Sequence, residues 1–460
     1  MVNLLEVCRR AHTGPTIDEQ SFQLEVVYQT AKRLCDKYNI VYDRENPVPA
    51  DDDLADRLYQ AGIDFVCEAG AYCSDTNRMI KFTREEALEA ITHSRAECVL
   101  GEGKDRFVFR SRKPESDIRP WFHVGTGIMS TDERMHFSLV SGYASIQQAN
   151  SISTPALEKI DGQFVASGTP TEVYGAIRAI RIARDALRHA GRPGLAIGNC
   201  ISTCGTVVGT IAAGAPQFGL RPCDGWLVPM YTELKVDLAT LSKTAYLLNW
   251  GANICVETGP MVAGYAGGPA ETAVILVGYL FAGLLVFSTD YHLLFPGHLH
   301  KGCSTAREVL WAIATSAQAI SRNTSRPVLY LGYAAAGPMT KQYYYETAAY
   351  VAAAIPSGGS IWTNHPARGL LNDYMTPMEA RGTVELAEGC IGMKRTEANA
   401  IVKELLKKYE DRFGDAPIGK KYQECYDINS GKPSQEYADL YGEVIEEIRS
   451  MGIKVPAPEG

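Results

Sequence analysis

Apolar positions recur at helical spacing through the first hundred residues. Residues 20–37 carry Val26, Val27, Ala31 and Leu34, and residues 51–68 carry Leu54, Leu58, Ile63 and Val66. Such spacing puts one apolar stripe on each helix. Thr83-Arg-Glu-Glu86 is a capping box, the Ser/Thr-x-x-Glu signature of a helix start, and its helix runs on through Leu88 and Ile91. No strand-rich module is expected before residue 106.

The middle of the chain changes rhythm. Thr169-Pro-Thr-Glu172 combines an N-cap, a proline in the first turn and a glutamate three residues after the cap. Val173, Ile177, Ile180 and Leu187 then mark a buried stripe, Gly191 supplies a stop, and residues 195–197 begin a strand. The unit recurs. Strands are expected at 226–230, 253–256, 285–288, 328–331 and 360–363, with helices near 237–250, 268–283, 304–320 and 340–355. Thr305-x-x-Glu308 and Thr376-Pro-Met-Glu379 read as further capping boxes. Alternating βα units of this length predict a parallel sheet covered by helices. Six units are legible, and Phe122-His-Val124 with a run at 137–143 would supply two more. Eight units close into a barrel. An open doubly wound sheet would carry a glycine-rich nucleotide turn, and the sequence has none.

The tail returns to amphipathic helices, at 396–411 and 435–451. The expected fold is thus an α/β (βα)8 TIM-type barrel with helical additions at both ends. Its divisions are an N-terminal helical extension (1–105), the barrel (106–393) and a C-terminal helical extension packed on it (394–460).

Composition narrows the function classes. Of 460 residues, 46% are apolar and 21% charged, a globular balance. The net charge of −8 offers no broad basic face, so neither nucleic acid nor an anionic membrane is an expected partner. Twelve cysteines sit mostly in apolar runs, and the N-terminus lacks a signal pattern, so reduced thiols and a cytoplasmic location are expected. The longest apolar run, 273–287, is shorter than the ~20 residues that span a bilayer and reads as a buried helix running into a buried strand.

In a parallel barrel the site stands where strands end. The strand ends are Gly198, Tyr231 with Glu233, Glu257, Asp290 with His292, Tyr333, and Asn364 with His365. Glu257 directly follows an apolar strand, so it is either a charge at the barrel mouth or half of a structural salt bridge. His292, His298 and His300 cluster within nine residues. They suit acid–base work near neutral pH, metal ligation, or plain surface polarity. Tyr231, Tyr265, Tyr291, Tyr333 and Trp362 crowd the same ends, and rings beside a carboxylate can cage an alkylated ammonium. Gly101-Glu-Gly-Lys104 is not a P-loop, no Gly-x-Ser-x-Gly elbow occurs, and Cys200 with Cys204 lacks a third cysteine at cluster spacing.

Several stretches resemble, in order, those of the monomethylamine methyltransferase family, methanogen enzymes that deliver a substrate methyl group to a corrinoid protein. They are Tyr72-Cys-Ser-Asp-Thr-Asn77, Ala190-Gly-Arg-Pro-Gly194, Glu233-Leu-Lys-Val-Asp237, Glu257 with Gly264-Tyr-Ala-Gly-Gly268, Tyr333 to Gly337, Ala416-Pro-Ile-Gly-Lys420 and Gln423-Glu-Cys-Tyr-Asp427. The resemblance implies an α/β barrel and makes Glu257 and Tyr333 counterparts of the family's site carboxylate and tyrosine. A family glutamine corresponds to Leu331. The larger departure is at Gly198, where the family carries pyrrolysine, whose ring imine holds methylamine as an adduct. Glycine cannot form it.

The implied activity is methyl transfer from a methylated small molecule to the cobalt(I) corrinoid (cobalamin) of a partner protein, without pyrrolysine and with no cofactor or metal bound by this chain. A quaternary amine or other N-methyl compound is the favoured donor. Glu257 would pair with it, Tyr333 would orient it, and His292 or His298 would give a proton where the leaving group needs one. Gly198, Tyr231, Tyr265, Tyr291, Leu331 and Trp362 would line the site, with room left over Gly198. Two alternatives stand: a zinc-assisted enzyme for methoxy or other methylated compounds, with His292, His298, His300 and Asp290 or Glu257 as ligands, and a non-catalytic binding paralogue. The resemblance also implies a homo-oligomer, a hexamer.

Overall fold

The computed structural model describes residues 2–199, 205–215, 217 and 219–456, with Asn199 described by its backbone alone. Cys200 and Cys204 lie outside them. Eight parallel strands close into a barrel. In chain order they are β1 Phe122–Val124, β2 Ser151–Ser153, β3 Ala196–Asn199, β4 Gly225–Pro229, β5 Asn253–Thr258, β6 Tyr291–Leu294, β7 Val328–Tyr333 and β8 Ser360–His365. β8 pairs with β1 to shut the ring, Trp362 beside His123.

The sequence reading holds for six strands and misses two, for identifiable reasons. The run at 137–143 lies inside the helix Glu133–Ser145, and the second strand is instead Ser-Ile-Ser, residues 151–153. Two of its three side chains are polar because they face a polar partner inside the barrel, so it carries no apolar signature. Residues 285–288 end the helix Pro269–Phe287, which closes on Ser288 in the left-handed region at φ 52°. That helix is buried on every side, so it lacks the amphipathic period that would have marked it as helix. It is long and apolar enough to cross a membrane by composition, but here it is packed as a core helix.

The capping boxes at Thr83 and Thr376 form as expected. Thr305 does not cap, since the helix Arg307–Asn323 begins from Ala306. Its hydroxyl instead donates to Glu346, 2.5 Å away. Glu346 also accepts from the backbone N–H of Ala335 (2.7 Å) and Ala336 (3.0 Å), which fixes the loop leaving β7.

The expectation of no strand-rich module before residue 106 meets an exception that matters for the barrel. Glu97–Leu100 and Phe107–Arg110 form an antiparallel hairpin, tied to the start of β5 by Asn253 Nδ2 donating to Val99 O at 2.8 Å. Its Cys98, Leu100 and Phe109 join Trp121, Leu227, Cys255 and Tyr291 in one buried cluster. The hairpin therefore stops the N-terminal end of the barrel. Phe109 stacks on Trp121 with centroids 5.0 Å apart and meets Tyr291 edge-on at 5.8 Å. Arg192, buried, clamps the adjoining turn through Asp105 at 2.8 Å.

The collinear stretches meet in space. Tyr72 pairs in parallel with Lys235, joining the first to the third. Gly337 N donates to Pro417 O at 2.8 Å, joining the loop after β7 to the tail. The tail helices Arg395–Tyr409 and Gln435–Ser450 pack on the helix Lys341–Ala354.

Phe109→Ala empties a ring from the stopper and is expected to cost about 3–5 kcal/mol of stability. Denaturant unfolding measures it; a loss within experimental error of zero would mean that the hairpin does not seal the barrel.

Candidate active site at the carboxyl end of the barrel

Successive side chains of a strand alternate between the barrel interior and the surrounding helices. Cys255, Leu293 and Leu329 belong to the interior cluster. Glu257 lies two residues beyond Cys255 and pairs with Leu293, which pairs with Leu329, so Glu257 also faces inward. It stands near the carboxyl end of β5, above the stopper. The residue keeps some accessible surface, but its Oε2 is buried and has no hydrogen-bond partner among the described residues. Burial pushes its carboxyl up to about 7, only partly offset by the positive charge of Lys243.

Rings form a belt from β6 round to β1. Phe295 meets Tyr333 edge-on at 6.0 Å, and Tyr333 lies 5.2 Å from His365. His365 lies 6.5 Å from Trp362, whose other neighbour is His123 at 3.6 Å. Tyr333, the last residue of β7, is fixed by its backbone, its carbonyl accepting from Ser304 N at 2.8 Å. Both imidazoles are buried, and burial pushes them down, His365 to about 4 and His123 well below its ordinary value. At neutral pH they add no positive charge. Leu331, buried at 2% exposure, supplies apolar surface between Leu329 and Tyr333.

A second carboxyl is also buried and raised, but both of its oxygens are partnered. Glu233, in the loop after β4, is 1% exposed. Its Oε2 accepts from Tyr279 Oη at 3.1 Å and its Oε1 from Met261 N at 3.3 Å. Burial raises it to about 7 as well.

The other expected site residues are distributed differently. Asp290 precedes β6 and so stands at the opposite end of the barrel, where its Oδ2 accepts from Ile254 N at 2.9 Å. Tyr291 faces inward there, against the stopper. His292 faces outward beneath the helix Pro269–Phe287, its Nε2 donating to Leu280 O at 3.0 Å. A strand at 285–288 would put all three at the carboxyl end. Starting it at Tyr291 reverses that. His298 follows β6, and its Nδ1 accepts from His300 N at 3.3 Å and Lys301 N at 3.4 Å, capping its own turn. The proposed zinc ligands are therefore not brought together, and no group of three or more His, Cys, Asp or Glu side chains suited to a metal forms among the described residues. Tyr231 and Tyr265 stand on the rim, 44% and 46% exposed.

The space expected over Gly198 is filled. A Cβ built on Gly198 would lie 2.3 Å from Cε1 of His123. The imidazole is held by Ser151 Oγ at Nδ1 (2.7 Å) and Ser153 Oγ at Nε2 (2.9 Å). Neither His123 nor its serines stood out in the sequence, because the chemistry lies across strands. The available signal was a histidine inside a predicted barrel strand.

Comparison with known proteins agrees with this architecture. The family Monomethylamine methyltransferase MtmB matches residues 2–453. Monomethylamine methyltransferase MtmB1 of Methanosarcina barkeri and MtmB of Methanosarcina mazei are each 30% identical over 449 residues, covering 96% of this chain and of theirs. The crystal structures of the Methanosarcina barkeri enzyme and of a hydroxylamine MtmB complex each superpose with a TM-score of 0.93 at 28% identity, covering 98% of both chains. Matched over nearly its whole length in sequence and in fold, this chain belongs to the monomethylamine methyltransferase MtmB family, a family of methyltransferases.

Proposed function

We propose that this chain transfers a methyl group from a quaternary ammonium or related N-methyl compound to the cobalt(I) corrinoid of a partner protein, without pyrrolysine. The observation that carries the reading is the unpartnered Oε2 of Glu257 inside the barrel. A buried carboxyl without a partner is costly to ionise, and a cation placed beside it removes that cost. The belt of Phe295, Tyr333 and Trp362 offers ring faces to a quaternary ammonium, which has no N–H to donate.

The leaving group supports the same choice. A quaternary ammonium that gives its methyl to cobalt departs as a neutral tertiary amine and needs no proton. The placements of His292 and His298 then cease to be a difficulty, and neither carries a role in this reading. The corrinoid, bound by the partner, supplies the nucleophile. The residues of this chain bind, orient and desolvate the donor. Gly198 offers no side chain to trap free methylamine. The family resemblance further supports a hexamer of identical chains acting in the cytoplasm, and sedimentation measures the first of these.

A screen of methylated compounds with the cognate corrinoid protein, following conversion of cobalt(I) to methylcobalt(III), tests the reading. Quaternary ammonium donors are expected to react and monomethylamine to fail; efficient demethylation of monomethylamine would overturn it. Glu257→Gln is expected to lower kcat/KM for a cationic donor about a hundredfold and to leave a neutral donor within a few-fold.

The pH dependence has a definite sign. The cation needs the carboxylate, so binding should strengthen as pH rises through about 7 and lose this dependence in Glu257→Gln. Stability runs the other way. The folded carboxyl lies above its unfolded value of 4.5, so the native state holds the extra proton and loses stability as pH rises from there to about 7. Glu257→Gln should therefore be more stable than the parent at pH 8, by on the order of 1–2 kcal/mol, and equal to it at pH 4. Thermal unfolding at the two pH values reads this directly.

A further inference from the structure

On the inner face of β3 and β4 two adjacent positions of the barrel wall carry no side chain. Gly198 and Gly225 stand side by side in the pairing. Each bare position is covered by a ring from elsewhere: Cβ atoms built there would lie 2.3 Å from His123 Cε1 and 2.2 Å from Tyr291 Oη. Tyr291 belongs to the stopper. His123 does not. It reaches from β1, past the two serines of β2, to lie over β3.

The imidazole is fully committed. Trp121 Nε1 donates to Ser151 Oγ at 2.9 Å. Ser151 can then give its own proton to Nδ1 of His123, which leaves Nε2–H to donate to Ser153. Both nitrogens are satisfied, so neither is left for a ligand. Trp362 covers the ring and is itself fixed, its Nε1 donating to Gly125 O at 2.7 Å. His123 is 2% exposed and Ser153 fully buried. Burial also keeps the ring neutral, so it does not compete with a bound cation for Glu257.

An aromatic side chain that is buried, hydrogen-bonded at both ends and seated over a bare α-carbon occupies its pocket as a bound heterocycle would. We propose that His123 is a specificity-determining residue, an internal plug that fills a ligand-sized space over Gly198 and confines the substrate to the Glu257–Tyr333 side of the barrel. The substrate half of this statement rests on the proposed function; the plug itself rests on geometry alone.

His123→Gly in the full chain tests both halves. Imidazole should raise the thermal midpoint of the variant in a dose-dependent way and leave the parent unchanged. Gly198→Ala should destabilise the parent and be tolerated beside His123→Gly. For specificity, calorimetry compares tetramethylammonium with benzyltrimethylammonium. The bulkier cation is expected to gain about tenfold relative to the smaller one in His123→Gly, and added imidazole should abolish the gain. A folded variant that takes up no imidazole, or whose size preference matches the parent's, overturns the proposal. If neither cation binds the parent, the cation reading of Glu257 and the specificity half both fail, while imidazole uptake still decides whether His123 fills a ligand-sized space. His123→Ser carries the same comparison if His123→Gly does not fold.

Discussion

A closed parallel barrel turns every second side chain of its strands toward one axis, where water is scarce and each polar group must find a partner among the others. Here the N-terminal half of that axis is sealed by the hairpin Glu97–Arg110 and its rings. His123, Ser151 and Ser153 solve the problem among themselves. Glu257 does not, and its Oε2 is left without a partner among the described residues. The chemistry argued for this protein follows from that one unsatisfied carboxyl oxygen.

Its surroundings decide what can satisfy it. The imidazoles of His123 and His365 are held neutral by burial, and the belt of rings offers π faces. A cation without hydrogen-bond donors suits such a site better than a neutral amine, because the charge is answered by the carboxylate and the alkyl surface by the rings. Because the departing tertiary amine is neutral, no proton donor need be sought among the histidines of the β6 region, where His292 lies beneath a helix and His298 caps its own turn.

Much of the fold is written in the sequence because barrel helices are amphipathic and most barrel strands are continuously apolar. Gly225–Pro229, Asn253–Thr258, Val328–Tyr333 and Ser360–His365 were legible on that basis. The exceptions break the rule physically. Ser151–Ser153 is a strand whose interior side chains bind a histidine, and Pro269–Phe287 is a helix with no exposed face. Misplacing one strand by a few residues moved Asp290, Tyr291 and His292 from one end of the barrel to the other. The candidate site was legible where a single residue carries it, as at Glu257 and Tyr333. It was not legible where partners come from different strands, as with His123 over Gly198. A sequence shows that a side chain is missing at residue 198; it does not show what fills the space.

The most direct test is diffraction from crystals of the full chain grown with tetramethylammonium at pH 8. The account predicts its nitrogen about 4–5 Å from a Glu257 carboxylate oxygen, with methyl groups against Tyr333 and Phe295. A cation bound elsewhere, with the Glu257 carboxyl left unpartnered, would contradict it.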